Sequence, residues 1–331
     1  MNKLKSIFVA IGSCLTMGAS IMSTPAIAEE VALALQPAGP DVAGGIEPSG
    51  EETIEGEAES FNRMTVPVTI GGVGPFDFMI DTGAQATVVT RGISKQSELE
   101  PAGKATLVGM ASREVVDLVD IDQLMLGTRS LSNILAPVLE KRNVGADGII
   151  GIDSLQGLRV LIDFRDNTIT VADAKELGGN KGFEIVVRAR RRDGQLLITD
   201  ADIEGVRTAV VIDTGAQMSL GNHALRRRLR ARLTSTSTST DVLGNKLTGD
   251  VGIVRSLKID GLRIDNLAVS YADTPAFDAL GLNSRPALSL GMYHLRMFDR
   301  VAIDFDTRKV LFDLPSGSRR RSLSDLFRQS R

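Results

Sequence analysis

The sequence has few of the residues that metal, thiol and nucleic-acid chemistry require. Its 331 residues include one cysteine, Cys14, two histidines, His223 and His294, two tyrosines and no tryptophan. This set cannot form a zinc site, an iron-sulfur site, a disulfide framework or a Cys/His nucleophile with a third partner. A formal net charge of -3 and few aromatics also exclude a typical nucleic-acid binder. No metal, cofactor or nucleic acid is expected, so any chemistry must come mainly from carboxylates and hydroxyls.

The remaining composition is that of a globular soluble protein. Hydrophobic residues make up 43% of the chain and charged residues 24%. This balance excludes wholesale disorder and a chain that spans a membrane many times.

Residues 1–28 are predicted to be a signal peptide. Lys3 and Lys5 are followed by a mostly apolar stretch, and Ala26-Ile27-Ala28 offers a cleavage site with small residues. A lipoprotein signal ending at Cys14 and an uncleaved membrane anchor are the alternatives, but the apolar stretch is short for both. The mature chain would then lack cysteine, which favours export to the bacterial periplasm over a eukaryotic secretory route.

The segments that flank the central part of the chain differ from it in charge. Residues 29–60 contain nine acidic residues and no basic ones, with several Gly and Pro, so we predict an acidic flexible linker. An inhibitory prosegment is the alternative. Residues 316–331 form a basic tail, the only part where membrane contact is expected, and a frayed, solvated terminus is the simpler interpretation.

An internal repeat is the most informative feature of the sequence. The hexapeptide Ile80–Gln85 recurs identically as Ile212–Gln217. At ordinary residue frequencies, six identical residues do not recur by chance. Each copy follows an apolar, strand-like stretch, so each Asp is placed where a buried strand ends in a turn.

The similarity continues beyond the hexapeptide. Each copy is followed by a strand-turn-strand segment, a glycine-ended apolar strand and a hairpin: 124–134, 149–151 and 160–171 in the first copy, and 257–267, 288–291 and 301–312 in the second. We predict an all-β protein of two similar lobes, residues 61–178 and 179–315, related by pseudo-two-fold symmetry with a cleft between them.

Such symmetry would bring Asp81 to face Asp213. Two carboxyls held so near to each other share one proton near neutral pH. One can then activate a water molecule as a base while the other protonates the substrate carbonyl, without a covalent enzyme intermediate. For either copy alone, a turn-capping aspartate is the simpler interpretation.

At these residues the chain resembles the pepsin and retropepsin clan of aspartic peptidases, and in particular bacterial exported retropepsin-like proteases with two Asp-Thr-Gly motifs in one chain. The resemblance implies that Asp81 and Asp213 are the catalytic pair. It also implies supporting roles around them: Thr82 and Thr214 lock the two turns together, Gly83 and Gly215 allow close backbone approach, and Gly151 and Gly291 end the strands behind the turns.

The implied function is that of an aspartic endopeptidase that cleaves an extended peptide segment of an envelope protein. Because one chain carries both motifs, a monomer with an intrachain dyad should suffice. A non-catalytic peptide-binding pseudoprotease and a purely structural envelope module are the alternatives.

Two features depart from the family pattern. The acid-arginine ion pair of retroviral enzymes is absent, because Gln85 and Gln217 follow the motifs and Ile152 and Met292 follow the glycines. No tyrosine lies in the expected flaps, residues 107–116 and 242–251.

Other features have simple structural interpretations. The arginines of residues 226–232 are predicted to lie on a solvated helix, residues 224–233, although they could bind an acidic segment. Residues 234–240 are expected to be a polar edge strand or a loop. Both His223 and His294 are expected to be structural or surface residues.

Ala84 and Ala216 follow the two glycines and have no hydroxyl to donate to the carboxyls. Fewer such hydrogen bonds leave the pKa values of the dyad higher. We therefore predict that proteolytic activity is greatest nearer neutral pH than in pepsin-like enzymes. A pH-rate profile that peaks near about pH 3 would contradict this.

Overall fold

The structure is a computed structural model that describes residues 64–315 and two short strands, Ser6–Phe8 and Ile54–Glu55. Apart from these strands, the predicted signal peptide and acidic linker lie outside the described residues, as does the basic tail. No helix in the described part of the chain has the length and apolar character needed to cross a membrane.

The first lobe is built on an eight-stranded sheet. Its strands are β1 (Ser6–Phe8), β3 (Thr65–Ile70), β4 (Val73–Ile80), β5 (Val88–Thr90), β6 (Pro101–Val108), β7 (Arg113–Leu126), β8 (Arg129–Leu139) and β9 (Gly148–Ile150). Their order is β1-β6-β7-β3-β4-β9-β5-β8, and β7 also pairs with β8. The additional pairing closes six of the strands into a ring, which leaves β6 and β1 outside it.

The second lobe has a sheet of the same kind. Its strands are β13 (Arg190–Arg192), β14 (Gln195–Ile203), β15 (Val206–Ile212), β16 (Ser219–Gly221), β17 (Leu233–Thr240), β18 (Lys246–Ile259), β19 (Leu262–Tyr271) and β20 (Ala287–Leu290). They follow the order β13-β14-β15-β20-β16-β19-β18-β17, with β14 also paired to β18. The ring of six strands is therefore repeated, which confirms the prediction of a two-lobed all-β fold.

A third sheet joins the lobes. Its six strands are β2 (Ile54–Glu55), β10 (Arg159–Asp163), β11 (Thr168–Ala172), β12 (Ile185–Arg188), β21 (Arg300–Asp304) and β22 (Lys309–Asp313), in the order β12-β22-β21-β10-β11-β2. The two hairpins expected to close each lobe separately instead pair with each other through β10 and β21. The lobes are thus connected by backbone hydrogen bonds as well as by the chain itself.

Six short helices complete the described residues: α1 (Arg91–Gln96), α2 (Lys141–Val144), α3 (Ile152–Leu155), α4 (His223–Leu229), α5 (Pro275–Ala279) and α6 (Met292–Leu295). Helix α4 is shorter than the predicted 224–233 because Arg230 has a left-handed backbone, φ 51°, which ends the helix. The polar segment 234–240 lies in the edge strand β17.

Alternating apolar side chains place the core inside the barrels. In β3, Val66, Val68 and Ile70 are buried whereas Pro67 is exposed, the period of two expected of a strand with one face in the core. The main apolar cluster contains residues of both barrels and of the joining sheet, such as Val160 and Phe312. The two lobes therefore share one core.

A buried ion pair lies where the lobes join. Arg159 on β10 donates two hydrogen bonds to Oδ2 of Asp304 on β21, at 3.2 Å from Nε and 2.6 Å from Nη2, and neither side chain is more than 2% exposed. Burial raises the pKa of Asp304, but hydrogen bonds from Thr307 and Arg159 outweigh this and hold the pKa below its usual value.

We predict that Arg159→Met lowers the free energy of unfolding by about 3 to 5 kcal/mol, because it leaves a buried carboxylate without its cation. Chemical denaturation measures the change. The control is Arg263→Met, which removes an exposed ion pair with Asp265 and should cost less than about 1 kcal/mol. Similar losses in both variants would contradict a special role for the buried pair.

Candidate active site

The two repeated aspartates lie at equivalent positions in the two barrels. Asp81 follows β4 and Asp213 follows β15, and their side chains are 0% and 3% exposed. Each backbone N–H donates to the neighbouring glycine-ended strand, Asp81 to Ile150 O at 3.0 Å and Asp213 to Leu290 O at 3.1 Å. The strands β9 and β20 thus fix the start of each turn.

Each carboxyl accepts two backbone amides of its own turn at Oδ1. The donors are Gly83 N at 2.7 Å and Ala84 N at 3.1 Å for Asp81, and Gly215 N at 3.1 Å and Ala216 N at 3.0 Å for Asp213. The turn-capping role considered for a single copy is therefore present in both. These amide donors also stabilise an ionised carboxylate, because a hydrogen bond to the charged form favours that form.

The two turns are hydrogen-bonded to each other through their threonines. Thr82 N donates to Thr214 Oγ1 at 3.0 Å, and Thr214 N donates to Thr82 Oγ1 at 3.3 Å. The hydroxyls then donate across the interface, Thr82 to Ile212 O and Thr214 to Ile80 O, both at 2.8 Å. This reciprocal arrangement holds the two turns against each other.

Glycine allows the close approach of the turns. A Cβ atom at Gly215 would lie 2.1 Å from Asp81 Oδ2, so the carboxyl of the first turn rests against the backbone of the second. A Cβ atom at Gly151 would lie 2.4 Å from the carbonyl carbon of Ala86. A Cβ atom at Gly291 would lie 2.7 Å from the carbonyl oxygen of Met218. A larger residue at Gly215 would displace the Asp81 carboxyl, and one at Gly151 or Gly291 would displace the backbone that follows the turn.

Asp213 has a hydroxyl donor that the sequence analysis missed. Ser289 on β20 donates from Oγ to Asp213 Oδ2 at 2.8 Å. From the sequence, a hydroxyl donor was expected only at the positions after Gly83 and Gly215, and both of these positions are alanine. The signal was present in the repeat, since a serine stands in the second apolar strand where the first has Ile149.

Side-chain hydrogen bonds also hold the segments behind each turn. In the first lobe, Thr87 Oγ1 donates to Asp153 Oδ1 and accepts from Gly151 N, at 2.7 and 3.1 Å. Burial raises the pKa of Asp153, although the Thr87 amide and hydroxyl oppose this. Ser219 in the second lobe similarly accepts from Gly291 N at 3.0 Å and contacts His294 Nδ1 at 2.7 Å.

His294 is a buried structural residue, in accordance with the sequence prediction. Its side chain is 2% exposed, and its Nε2 atom has no hydrogen-bond partner among residues 64–315. Burial lowers the pKa of its imidazole to about 4. His223 lies at the surface but has an acidic partner that sequence spacing did not reveal, since its Nδ1 is 3.1 Å from Asp273 Oδ2.

The two predicted flaps contact each other through the carboxylate of Asp241 and the side-chain amide of Asn245, whose Nδ2 donates to Ser112 Oγ at 2.9 Å and to Glu114 Oε1 at 2.7 Å. They are the hairpins β6-β7, with its tip at residues 109–112, and β17-β18, with its tip at residues 241–245. Asp241 is 1% exposed, and its Oδ2 accepts Ala111 N at 3.0 Å and Ser112 Oγ at 3.1 Å from the opposite flap. Its Oδ1 accepts two amides of its own tip, Leu243 N and Asn245 N. The sequence did not reveal this contact.

A small cavity lies between the second turn and the first flap. It has a volume of about 30 Å³ and is lined by Ala216, Ser289, Met110 of the first flap and several serines of the second lobe. Among the described residues, no group of three or more His, Cys, Asp or Glu is arranged to hold a metal ion.

The arginines of α4 differ in their surroundings. Arg226 donates from Nη1 to Asp250 Oδ2 at 2.6 Å, whereas Arg228 is exposed. The helix therefore has the solvated character that was predicted, with one arginine held by a partner on β18.

Two β-barrels whose Asp-Thr-Gly turns meet at a pseudo-two-fold axis define the aspartic peptidase class. A sequence model of the aspartyl protease family matches residues 66–154 and 199–293, more than half of the chain and one segment in each lobe. The protein therefore belongs to the aspartyl protease family, and this relation supports protease activity in general. No curated protein sequence matches the chain.

We predict that the protein loses stability as the pH falls from about 6.5 to about 4, because His294 accepts a proton more readily in the unfolded chain than in the fold. Above this pH window the neutral histidine makes its full contribution to the free energy of unfolding. Below the window, the free energy of unfolding is lower by roughly 3 kcal/mol. Denaturation at several pH values measures the slope. His294→Gln should flatten it, whereas the surface variant His223→Gln should leave it unchanged.

We also predict that Asp241→Ala loosens the flap tips. The substitution removes the carboxylate that accepts a charge-assisted hydrogen bond from Ala111 N. The amide hydrogen of Ala111 should therefore exchange with solvent at least about tenfold faster. Hydrogen exchange measured by NMR tests this. Asp250→Ala, which removes an acceptor on β18 outside the flap tip, is the control, and equal protection of Ala111 in both variants would contradict the prediction.

Proposed function

We propose that this protein is an exported bacterial aspartic endopeptidase that hydrolyses peptide bonds in an extended segment of another envelope protein. Asp81 and Asp213 form the catalytic dyad. The observation that carries the proposal is the reciprocal hydrogen bonding of Thr82 and Thr214, with the Asp81 carboxyl against Gly215.

The dyad acts by general acid-base catalysis. Two carboxyls in this arrangement retain one proton between them near neutral pH, because both cannot ionise side by side. The ionised carboxyl takes a proton from a water molecule, which attacks the peptide carbonyl, while the protonated carboxyl donates to the carbonyl oxygen. No covalent intermediate with the protein is formed.

The substrate is an extended peptide. A cleft between two β-barrels binds a strand through main-chain hydrogen bonds, with pockets for alternate side chains. The cavity lined by Ser289, Ala216 and Met110 is one such pocket for a substrate side chain. The flap tips joined by Asp241 must separate to admit the peptide.

Export rests on the sequence of residues 1–28. The charged start, the apolar stretch and Ala26-Ile27-Ala28 favour cleavage after Ala28 and a periplasmic location. Intact-mass measurement of the protein from the periplasmic fraction of a bacterial host tests this. Replacing Ala26 and Ala28 by bulky residues should block the cleavage, and a mature mass that still includes residues 1–28 would contradict it.

Proteolysis is tested with the mature chain, residues 29–331, and a chemically unfolded, disulfide-free protein as substrate. Mass spectrometry identifies cut sites between pH 4 and 8, and also any cleavage within residues 29–60. Asp81→Asn and Asp213→Asn should each abolish cutting, and the double variant should be no worse than either, because the two carboxyls act as a unit. Asp265→Asn makes the same chemical change at an exposed position and should cleave normally.

The outcome also separates the alternatives. A peptide-binding pseudoprotease would not cut, and its asparagine variants would keep their affinity for peptide. In a structural module, the asparagine variants would mainly lose stability. Cutting that persists in both single variants would overturn the dyad.

A further inference from the structure

The hydrogen bonds around the two candidate catalytic aspartates are not symmetric. Both carboxyls accept two amides of their own turn at Oδ1, in the same geometry. Asp213 additionally accepts the Ser289 hydroxyl at Oδ2, at 2.8 Å. Ser289 is 5% exposed and lies on β20, so its hydroxyl is held by a buried strand.

The corresponding position in the first lobe cannot make this bond. Strand β9 pairs in parallel with β4, with Met79 opposite Ile149, and β20 pairs in parallel with β15, with Val211 opposite Ser289. Met79 and Val211 stand two residues before the respective aspartates, so Ile149 is the counterpart of Ser289. An isoleucine has no hydroxyl, and the asymmetry is therefore built into the sequence.

A hydroxyl that donates to one carboxyl of a pair stabilises the charge on that carboxyl. Asp213 therefore holds the charge of the singly protonated dyad more readily than Asp81 does. Among the described residues, two titratable groups lie close to the second turn. The Asp81 carboxyl rests against the backbone of Gly215, and His294 on α6 lies behind the turn in contact with Ser219.

We propose that Ser289 is a positioning residue that holds Asp213 as the ionised carboxylate and leaves the shared proton on Asp81. This assignment rests on the proposed function, and it specifies which aspartate is the base. Asp213 then removes a proton from water as the water oxygen bonds to the peptide carbonyl carbon. The carbonyl π electrons move to its oxygen, which takes the proton of Asp81. A neutral gem-diol results, with Asp213 protonated and Asp81 ionised.

The test compares Ser289→Ala with Ser289→Thr. Alanine removes the donor, whereas threonine keeps a hydroxyl, and Ser289 lines a cavity of about 30 Å³. The acidic limb of the pH profile of kcat/KM should move up by about one pH unit in Ser289→Ala, the size expected for loss of a charge-assisted hydrogen bond. The alkaline limb should not move, because Asp213 is ionised on both sides of that transition.

Activity of Ser289→Ala should accordingly fall about tenfold on the acidic side of the profile and little on the alkaline side. Ser289→Thr should restore the wild-type profile. A general structural defect would instead lower the rate at all pH values. An acidic limb that stays in place or moves down in Ser289→Ala would overturn the proposal, because it would mean that Asp213 donates to Ser289 and carries the proton.

A second measurement does not require turnover. In the Asp81→Asn background, the carboxyl of Asp213 titrates without its partner, and NMR of the ¹³C-labelled carboxyl follows it. Adding Ser289→Ala should raise its midpoint by about one pH unit. Ser289→Cys, a near-isosteric weak donor, serves if the alanine variant does not fold, and should shift the midpoint in the same direction. An unchanged midpoint would refute the role of Ser289 even in an active protease, whereas the expected shift in an inactive protein would refute only the proposed function.

Discussion

The two turns that carry Asp81 and Asp213 can exist in this form only together. Thr82 and Thr214 each use the backbone and side chain of the opposite lobe as hydrogen-bond partners, so neither turn satisfies its buried polar groups alone. This mutual requirement sets the distance between the barrels. It also explains why the backbone at Gly215 has no space for a side chain, since the Asp81 carboxyl occupies that place.

Burial of charge is the main energetic problem of such a site. An unpaired carboxylate inside a protein costs several kcal/mol, and the fold meets this cost with donors that are fixed before any substrate arrives. Amides of the tight turns supply two donors to each aspartate, and a serine supplies a third to Asp213. The same turn geometry that caps a strand thus also stabilises a buried carboxylate.

The repeat predicted the large features because a duplicated sequence implies a duplicated structure. The hexapeptide and the similarity downstream of it predicted the two lobes and a pair of facing aspartates, whereas the locking role of Thr82 and Thr214 came only from the resemblance to aspartic peptidases. The joining sheet could not be predicted, because an alternating apolar pattern predicts a strand but does not indicate with which other strand it pairs. The contact of Asp241 with the opposite flap was invisible for a similar reason, since it links residues about 130 positions apart with no repeated motif.

Having both lobes in one chain has a consequence for how such a site can change. In a dimer of identical chains, every substitution appears twice, so a hydroxyl placed beside one aspartate would also stand beside the other. Here the strand behind each turn is encoded separately, and the second carries Ser289 where the first carries Ile149. A substitution in one lobe of the single chain therefore need not occur in the other. The residues around Asp81 and Asp213 can differ, and each aspartate can have its own hydrogen-bond donors.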